Sequence, residues 1–408
     1  MLRRLSLTLG ITLSLSTPYL LAFEFRVMSY NVENLWDDDP DNTPNHWRNF
    51  IDSLSAEDRD LVPHRDLQYD DYSGDHSNWY NPEILDAKIQ NLIQAIKLAG
   101  APEILALQEI ESAGNHSHVF DMHGNKYTLR QEFERLGYRY FILGHQNERN
   151  PVSVTQAIIS KLPLKELDSV DVDFEDEPFS PSARDVQVVE FKDDDNRLVI
   201  FNNHWKSKSG GGKTEIPRIR TAELVKKRIE EEYKKNRHTR IIVLGDLNSA
   251  YYEKPIEILA TADETVMLGG STTQLFNTWY DVSEEQRWET SFRGKKQTLS
   301  AMLISNDFYQ KSGIQYVDRS FDVVGHSGSA AQVLLTPEGL PYRWQIRKNK
   351  RNATITHLGK GYSDHLPLIA TFKWESEGLK GKRTLSHIPF LKVLTNHELG
   401  KAAGGVFP

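Results

Sequence analysis

The feature that most restricts this chain is a set of short polar motifs that each terminate an apolar run, so a fold that uses them has to bring several strand ends to one place. The motifs read Tyr30-Asn31-Val32-Glu33-Asn34, Leu107-Gln108-Glu109, Asn202-Asn203-His204-Trp205-Lys206, Gly245-Asp246-Leu247-Asn248 and Tyr362-Ser363-Asp364-His365. Strands are expected at Phe25 to Tyr30, Ile104 to Leu107, Ala157 to Ser160, Val186 to Phe191, Leu198 to Asn202, Ile241 to Leu244, Met302 to Ser305 and Leu366 to Phe372. Several are rich in valine and isoleucine, as strands buried on both faces are. Helical spacing of apolar residues recurs from Ile84 to Ile96 and from Ile219 to Ile229. Strands alternating with amphipathic helices give an α/β (α+β) class.

A length of 408 residues fits two domains or one large sandwich, and with no repeat and no domain linker we read one domain. The formal net charge of -8 excludes a protein that coats nucleic acid through its overall field. A polyanion would have to meet a local patch, and three are available: Lys206, Lys208, Lys213, Arg218 and Arg220; Arg293, Lys295 and Lys296; and Arg343, Arg347, Lys348, Lys350 and Arg351. Solvated surface charge is the plainer reading of such runs. The tryptophans at 79, 205, 288 and 344 offer stacking surfaces, although scattered aromatics more often belong to the core. The chain has no cysteine, which removes disulfides, thiolate metal sites and a cysteine nucleophile.

Arg3 and Arg4 precede an apolar stretch from Leu5 to Leu21, with Ala22 as a small residue for cleavage, the pattern of a secretory signal over 1–22. The expected location is secreted or periplasmic, as a monomer with no stable membrane anchor and no evident protein partner. Residues 37–81 shift to Asp, Asn, Pro, Ser and Tyr without a period, reading as a long excursion directly after the first motif. A second irregular tract runs from Val317 to Asn352, and a tail follows over 376–408.

The motif residues suit phosphodiester chemistry, which needs a cation on the phosphate, an activated water and relief of charge on the leaving oxygen. Glu109 is an oxygen donor suited to Mg²⁺, a hard ion held by one or two carboxylates with water and phosphate. Asp246 and Asn248 are two apart, so on extended backbone both face the same side, one to activate water and one to hold it. Asp364 and His365 give an adjacent acid and imidazole, and His204 gives a second imidazole. Each has a plainer reading alone: a capping carboxylate for Glu109, a strand-to-turn transition for Gly245 to Asn248, a structural role for either histidine.

As an ordered string, Asn31, Glu109, His204, Asp246, Asn248, Asp364 and His365 resembles the endonuclease/exonuclease/phosphatase superfamily, deoxyribonuclease-like and close in character to bacterial exported nucleases. The resemblance spans about Phe25 to Phe372 and implies a catalytic domain over 23–375 folded as a four-layer α/β sandwich, two mixed β-sheets face to face between helices. It implies that Asn31, Glu109 and Asp364 serve the metal, Mg²⁺ with Mn²⁺ or Ca²⁺ as alternatives. Asp246 and Asn248 would activate and position water, and His204 and His365 would stabilise the phosphoryl transition state or protonate the leaving group. Arg184, Lys206 and Lys208 would contact substrate, and Asn203 to Gly211 carries lysines that favour a DNA backbone, with RNA as a further substrate. One departure stands out: Ser300 occupies the place where the family has an aspartate that orients the last histidine. Either the strand is in a different register, or another carboxylate such as Asp307 or Asp318 substitutes, or activity is impaired. The implied function is a metal-dependent endonuclease, with a sphingomyelinase-like lipid or small-molecule phosphodiesterase, or an impaired binding protein, as the alternatives.

Overall fold

The structure, a computed structural model, describes residues 21–35, 82–111, 126–145, 154–172, 184–193, 196–209, 211–262, 273–348 and 355–376. Most of the expected signal segment, the 37–81 excursion, Trp79, and the tail after 376 therefore lie outside the described residues. The first elements are β1 (Leu21–Leu35), α1 (Pro82–Leu98), β2 (Ile104–Glu111), α2 (Leu129–Arg135), β3 (Tyr140–Leu143), β4 (Val154–Ser160), β5 (Lys165–Val170), β6 (Val186–Lys192) and β7 (Arg197–His204). The middle of the chain forms α3 (Glu215–Lys235), β8 (Arg240–Asp246), α4 (Lys254–Leu259), β9 (Ala260–Thr261), β10 (Leu275–Asn277), β11 (Thr290–Phe292), β12 (Lys295–Gln297) and β13 (Ser300–Ile304). The last elements are β14 (Ile314–Tyr316), β15 (Asp322–Val323), α5 (Gly328–Leu334), β16 (Ile346–Lys348), β17 (Ile355–His357) and β18 (Leu368–Ser376).

Two seven-stranded sheets carry the core. The first runs β14-β18-β1-β2-β4-β3, with β15 also on β18, and the second β5-β6-β7-β8-β13-β10-β9. Both are mixed: β1 and β2 are parallel, as are β7 and β8, while β18 and β13 return antiparallel beside them. The inner strands β2, β4, β7 and β8 are buried almost throughout. They need apolar residues on both faces, which is why their sequences lack in-out alternation. Sheet packs on sheet through β1, β2 and β4 against β7 and β8. Helix α1 lies on the first sheet, where Lys88 Nζ donates to the Val32 and Glu33 carbonyls of β1. Helix α3 lies on the second, where Glu232 accepts from Arg197 of β7 at 2.7 Å. The result is the four-layer α/β sandwich.

The expected strands all form, though the last starts at Leu368 rather than Leu366 because Pro367 cannot donate to a ladder. The tract from Val317 is less irregular than its composition suggests, since it contains β15, α5 and β16. Among the described residues, no helix is long and apolar enough to cross a membrane.

The topology explains the motifs. Because β1 and β2 run parallel, as do β7 and β8, the ends of all four open on the same side of the sandwich. Antiparallel β13 begins there, with Ser300 paired to Asp246, and Asp364-His365 lies shortly before β18. Gly245 on β8 sits against Asn203 of β7: its φ is +123°, and a Cβ would lie 2.1 Å from the Asn203 carbonyl oxygen. Gly245→Ala is expected to cost about 3 kcal/mol, the upper end for overpacking, read as a lowered melting temperature; an unchanged value would contradict this close approach.

Buried Glu232 gives an acid-side prediction. Burial raises its carboxyl pKa, but hydrogen bonds from Lys235, Arg228 and Arg197 outweigh that and hold it at about 2, against 4.5 for the free side chain. A depressed carboxyl contributes stability that is present above pH 4.5 and lost as pH falls towards 2. In urea titrations across that window, Glu232→Gln should lose this part of the slope along with stability at neutral pH; a slope equal to the parent's would contradict it.

Candidate active site

Backbone conformation at the strand ends aims the polar side chains. Glu109 has a φ of +66° and lies in a bulge, with the β2 register shifting between Gln108 and Ile110 against both neighbours. Such a conformation costs roughly 1–3 kcal/mol in a non-glycine residue and re-aims the side chain. Gln108 thereby stays in the core, donating to Asn202 Oδ1 of the other sheet at 2.8 Å, while Glu109 turns to the strand ends. Asn31 and Asp246 each cap their own turn: Asn31 Oδ1 accepts the Glu33 N–H at 3.0 Å, and Asp246 Oδ1 accepts the Asn248 N–H at 2.9 Å.

One amide joins the carboxylates. Asn31 Nδ2 donates to Glu109 Oε1 at 2.9 Å and to Asp246 Oδ2 at 3.0 Å, and the Asn34 N–H holds Glu109 Oε2 at 2.9 Å. His204 Nε2 lies 3.6 Å from Glu109 Oε1 and 3.8 Å from Asp246 Oδ2. On the other side of Asp246, His365 Nε2 is 3.6 Å from Oδ2. The last motif is tied to the first, because Ser363 Oγ donates to the Asn31 carbonyl at 2.6 Å and accepts the His365 N–H at 3.1 Å. The structure thus brings together Asn31, Glu109, His204, Asp246, Asn248, Asp364 and His365.

The two histidines differ in charge. Burial, with Arg184 and His365 nearby, pushes His204 well below its usual range, so it is neutral, and its Nδ1 has no hydrogen-bond partner among the described residues. Burial would lower His365 too, but Asp246, Glu289 and Asp364 surround it with negative charge and raise it to about 10, so it carries a proton. Environments that separate two titratable groups in this way assign them different work.

Glu109, His204 and Asp246 place one ligand atom each within 4.8 Å of one another. Burial raises the Glu109 pKa, and the nearby Asp364 carboxylate adds to the rise. Oxygen donors from two carboxylates with one imidazole suit a hard or borderline divalent ion, so the residues present fit a metal.

Other expected residues lie around this centre. Asn248 Nδ2 donates to the Trp205 carbonyl, bracing the loop after His204. Arg184 donates Nε to the Val154 carbonyl and is close enough to act electrostatically on Glu109 and His204. Lys208 turns to Glu253 at 2.6 Å, and Lys206 follows Trp205 in the partly covered loop. Arg218 is buried and donates to the Lys206 carbonyl, so it braces this loop instead of adding to a surface patch. Trp205, Trp288 and Trp344 are core residues, which removes them as stacking platforms.

Ser300 is in the expected register, with Oγ 3.4 Å from His365 Nδ1. Neither suggested substitute reaches that histidine: Asp307 accepts from Tyr233 beyond the far end of β13, and Asp318 is exposed after β14. The carboxylate that does is Glu289, whose Oε1 is 3.4 Å from Nδ1. Sequence reasoning placed Arg343 only in a basic patch; it pairs with Glu33 and lies 3.7 Å from Asp364 with its side chain 63% exposed. Glu33 was visible in the first motif, but nothing local announces its partner 310 positions away.

The family model for the endonuclease/exonuclease/phosphatase family matches residues 26–373. Among solved structures, truncated TDP2 from Caenorhabditis elegans is similar at 13% identity and a TM-score of 0.43, covering 86% of this chain and 98% of that one. The human Nocturnin catalytic domain with bound sulfate is similar at 18% identity and a TM-score of 0.42, with coverages of 86% and 97%. A family protein from Bacteroides thetaiotaomicron gives 13%, 0.44, 87% and 99%. No curated protein matches the sequence.

A metal between Glu109 and Asp246 should stabilise the folded chain. Mg²⁺ at 100 times its dissociation constant adds about 2.7 kcal/mol, read as a rise in melting temperature that Glu109→Gln and Asp246→Asn should each abolish. An undiminished rise in both variants would place the metal elsewhere.

Proposed function

The chain belongs to the endonuclease/exonuclease/phosphatase family, and on that footing we propose that it is an exported, Mg²⁺-dependent phosphodiesterase that cuts DNA, and RNA with it, inside strands and with little sequence preference. The observation that carries this reading is the convergence of Glu109, His204 and Asp246 within 4.8 Å, with His365 Nε2 3.6 Å from Asp246. In this proposal Glu109, Asp246 and His204 hold the ion, with Asp364 near them. When bound, the ion supplies positive charge to the phosphate oxygens.

The chain's own groups do the rest. Asp246 accepts a proton from the attacking water, whose oxygen bonds to phosphorus as the bond to the leaving oxygen breaks. Asn31 keeps the two carboxylates apart and oriented through its shared amide. Asn248 keeps the loop carrying His204 in place. His365, cationic and facing Asp246 through Nε2, stabilises the charge that develops on phosphate and can deliver a proton to the leaving oxygen. Arg343, half held by Glu33, presents its remaining N–H donors next to Asp364, where a phosphate would meet them.

The preference for nucleic acid rests on the β11–β12 hairpin. Thr290 pairs with His365 and donates to the Asp364 carbonyl at 2.6 Å, which fixes the hairpin to the site's edge. From that edge Phe292 projects 61% exposed, with the Arg293 guanidinium 5.1 Å from its ring centre and Lys295 exposed beside them. An aromatic ring next to cations suits stacked bases along a phosphate backbone.

Plasmid DNA and RNA should be cut by the purified protein with Mg²⁺ and spared with chelator. Asp246→Asn should lower the rate roughly 10²–10⁴-fold. Cutting that survives both chelator and Asp246→Asn would refute the proposal, and phosphocholine release from sphingomyelin vesicles with intact plasmid would replace it with a lipid substrate. Phe292→Ala should weaken DNA binding by about 1–3 kcal/mol and leave hydrolysis of bis(p-nitrophenyl) phosphate unchanged. Equal losses on both substrates would remove the hairpin from DNA recognition.

A further inference from the structure

Glu289 is a fully buried carboxylate to which neither the metal centre nor the substrate surface assigns a task. Burying a carboxylate costs several kcal/mol unless partners compensate it. Its Oε1 accepts the Leu299 and Ser300 N–H groups, both at 2.8 Å, and lies 3.4 Å from His365 Nδ1; its Oε2 has no partner among the described residues. Its backbone is fixed on both sides, donating to the Gln297 carbonyl at 3.0 Å and accepting the Leu366 N–H at 2.7 Å. The residue is thus tied to the start of β13 and to the residue directly after His365. Two backbone N–H groups could be satisfied by a neutral acceptor, so they do not by themselves explain a buried carboxyl group.

Ser300 and Glu289 approach Nδ1 at the same 3.4 Å, and a carboxylate is a stronger acceptor for an imidazole N–H than a hydroxyl is. The two positions also exclude one another as acids. Glu289 Oε1 already rests 2.8 Å from the Ser300 backbone nitrogen, so an aspartate at 300 would set a second carboxylate against the first in a site closed to water. A small neutral residue at 300 and an acid at 289 are two halves of one arrangement.

We propose that Glu289 is the positioning residue for His365: its carboxylate accepts the Nδ1 proton, fixes the ring, and leaves Nε2 facing Asp246 and the reacting phosphate. The acid facing Nδ1 thus comes from the residue just before the hairpin and not from the strand after it. This rests on the reading of His365 as part of a phosphodiesterase site, and it removes Ser300 as a reason to regard that site as impaired.

The test uses the full chain with Mg²⁺, comparing Glu289→Gln, Ser300→Asp and the two combined, by kcat, KM and the ¹H–¹⁵N signals of the His365 ring. Glu289→Gln keeps an acceptor for both backbone N–H groups and should lower kcat roughly 10- to 100-fold, the range for groups that orient a reacting side chain, with little change in KM. The far-downfield Nδ1 proton signal expected of an imidazole held by a carboxylate should shift upfield. Ser300→Asp should impair the parent yet restore both kcat and the downfield signal in the Glu289→Gln background. The ring signal is read without turnover, so a protein that cuts nothing but keeps a Glu289-dependent signal would fail the phosphodiesterase reading and retain this one. A Glu289→Gln protein with reduced melting temperature but unchanged kcat and ring signal would overturn the proposal, as would Ser300→Asp leaving the double variant as slow as Glu289→Gln. Should Glu289→Gln not fold, Ser300→Asp alone decides: an undiminished rate overturns it.

Discussion

The Asn31 side-chain amide, shared between Glu109 and Asp246, is the contact on which the rest of the site depends. Glu109 stands on the first sheet and Asp246 on the second, so one NH₂ group links the layers where their strands end. Two carboxylates turned to a common point repel each other, and a neutral donor between them satisfies both without neutralising either. That leaves their charge available to a cation. The β2 bulge, the turn at Asn31 and the close β7–β8 approach at Gly245 all serve to present these three side chains together.

From this centre the charges divide in a way that follows from burial and neighbours. His204, hemmed in by Arg184 and His365, is neutral and turned to the carboxylates, whereas His365, ringed by Asp246, Glu289 and Asp364, is a cation. Below them Lys88 is almost fully buried under the β1 carbonyls and its pKa falls to about 8 through burial, while Glu33, raised to about 7 by burial and Asp364, is steadied by Arg343. The site floor is therefore a chain of coupled charges running from α1 through the first motif to the residues before β16.

Much of this was readable in the sequence, and what was not has definable causes. Strands such as Ile241 to Leu244 announce themselves because both faces are buried, and the motifs stand out because polar residues follow such runs abruptly. Glu289 was unreadable because its role depends on the pairing of β11 with β12, which folds residue 289 back onto Gln297 and so onto Ser300. Asp307 is nearer in sequence to β13 but lies at its far end, and Asp318 lies beyond it, so strand direction rather than sequence distance decides which acid reaches His365. Arg343 sat in a tract with little periodicity, where a cation at the edge of a site and a solvated one look alike.

The proposed chemistry requires a divalent ion held between Glu109, His204 and Asp246. Anomalous diffraction from crystals soaked in Mn²⁺, a stand-in for Mg²⁺ with a usable signal, tests it most directly. A peak is expected in contact with carboxylate oxygens of both Glu109 and Asp246, absent in crystals of Asp246→Asn. A peak that touches neither carboxylate, or that persists unchanged in Asp246→Asn, would contradict it.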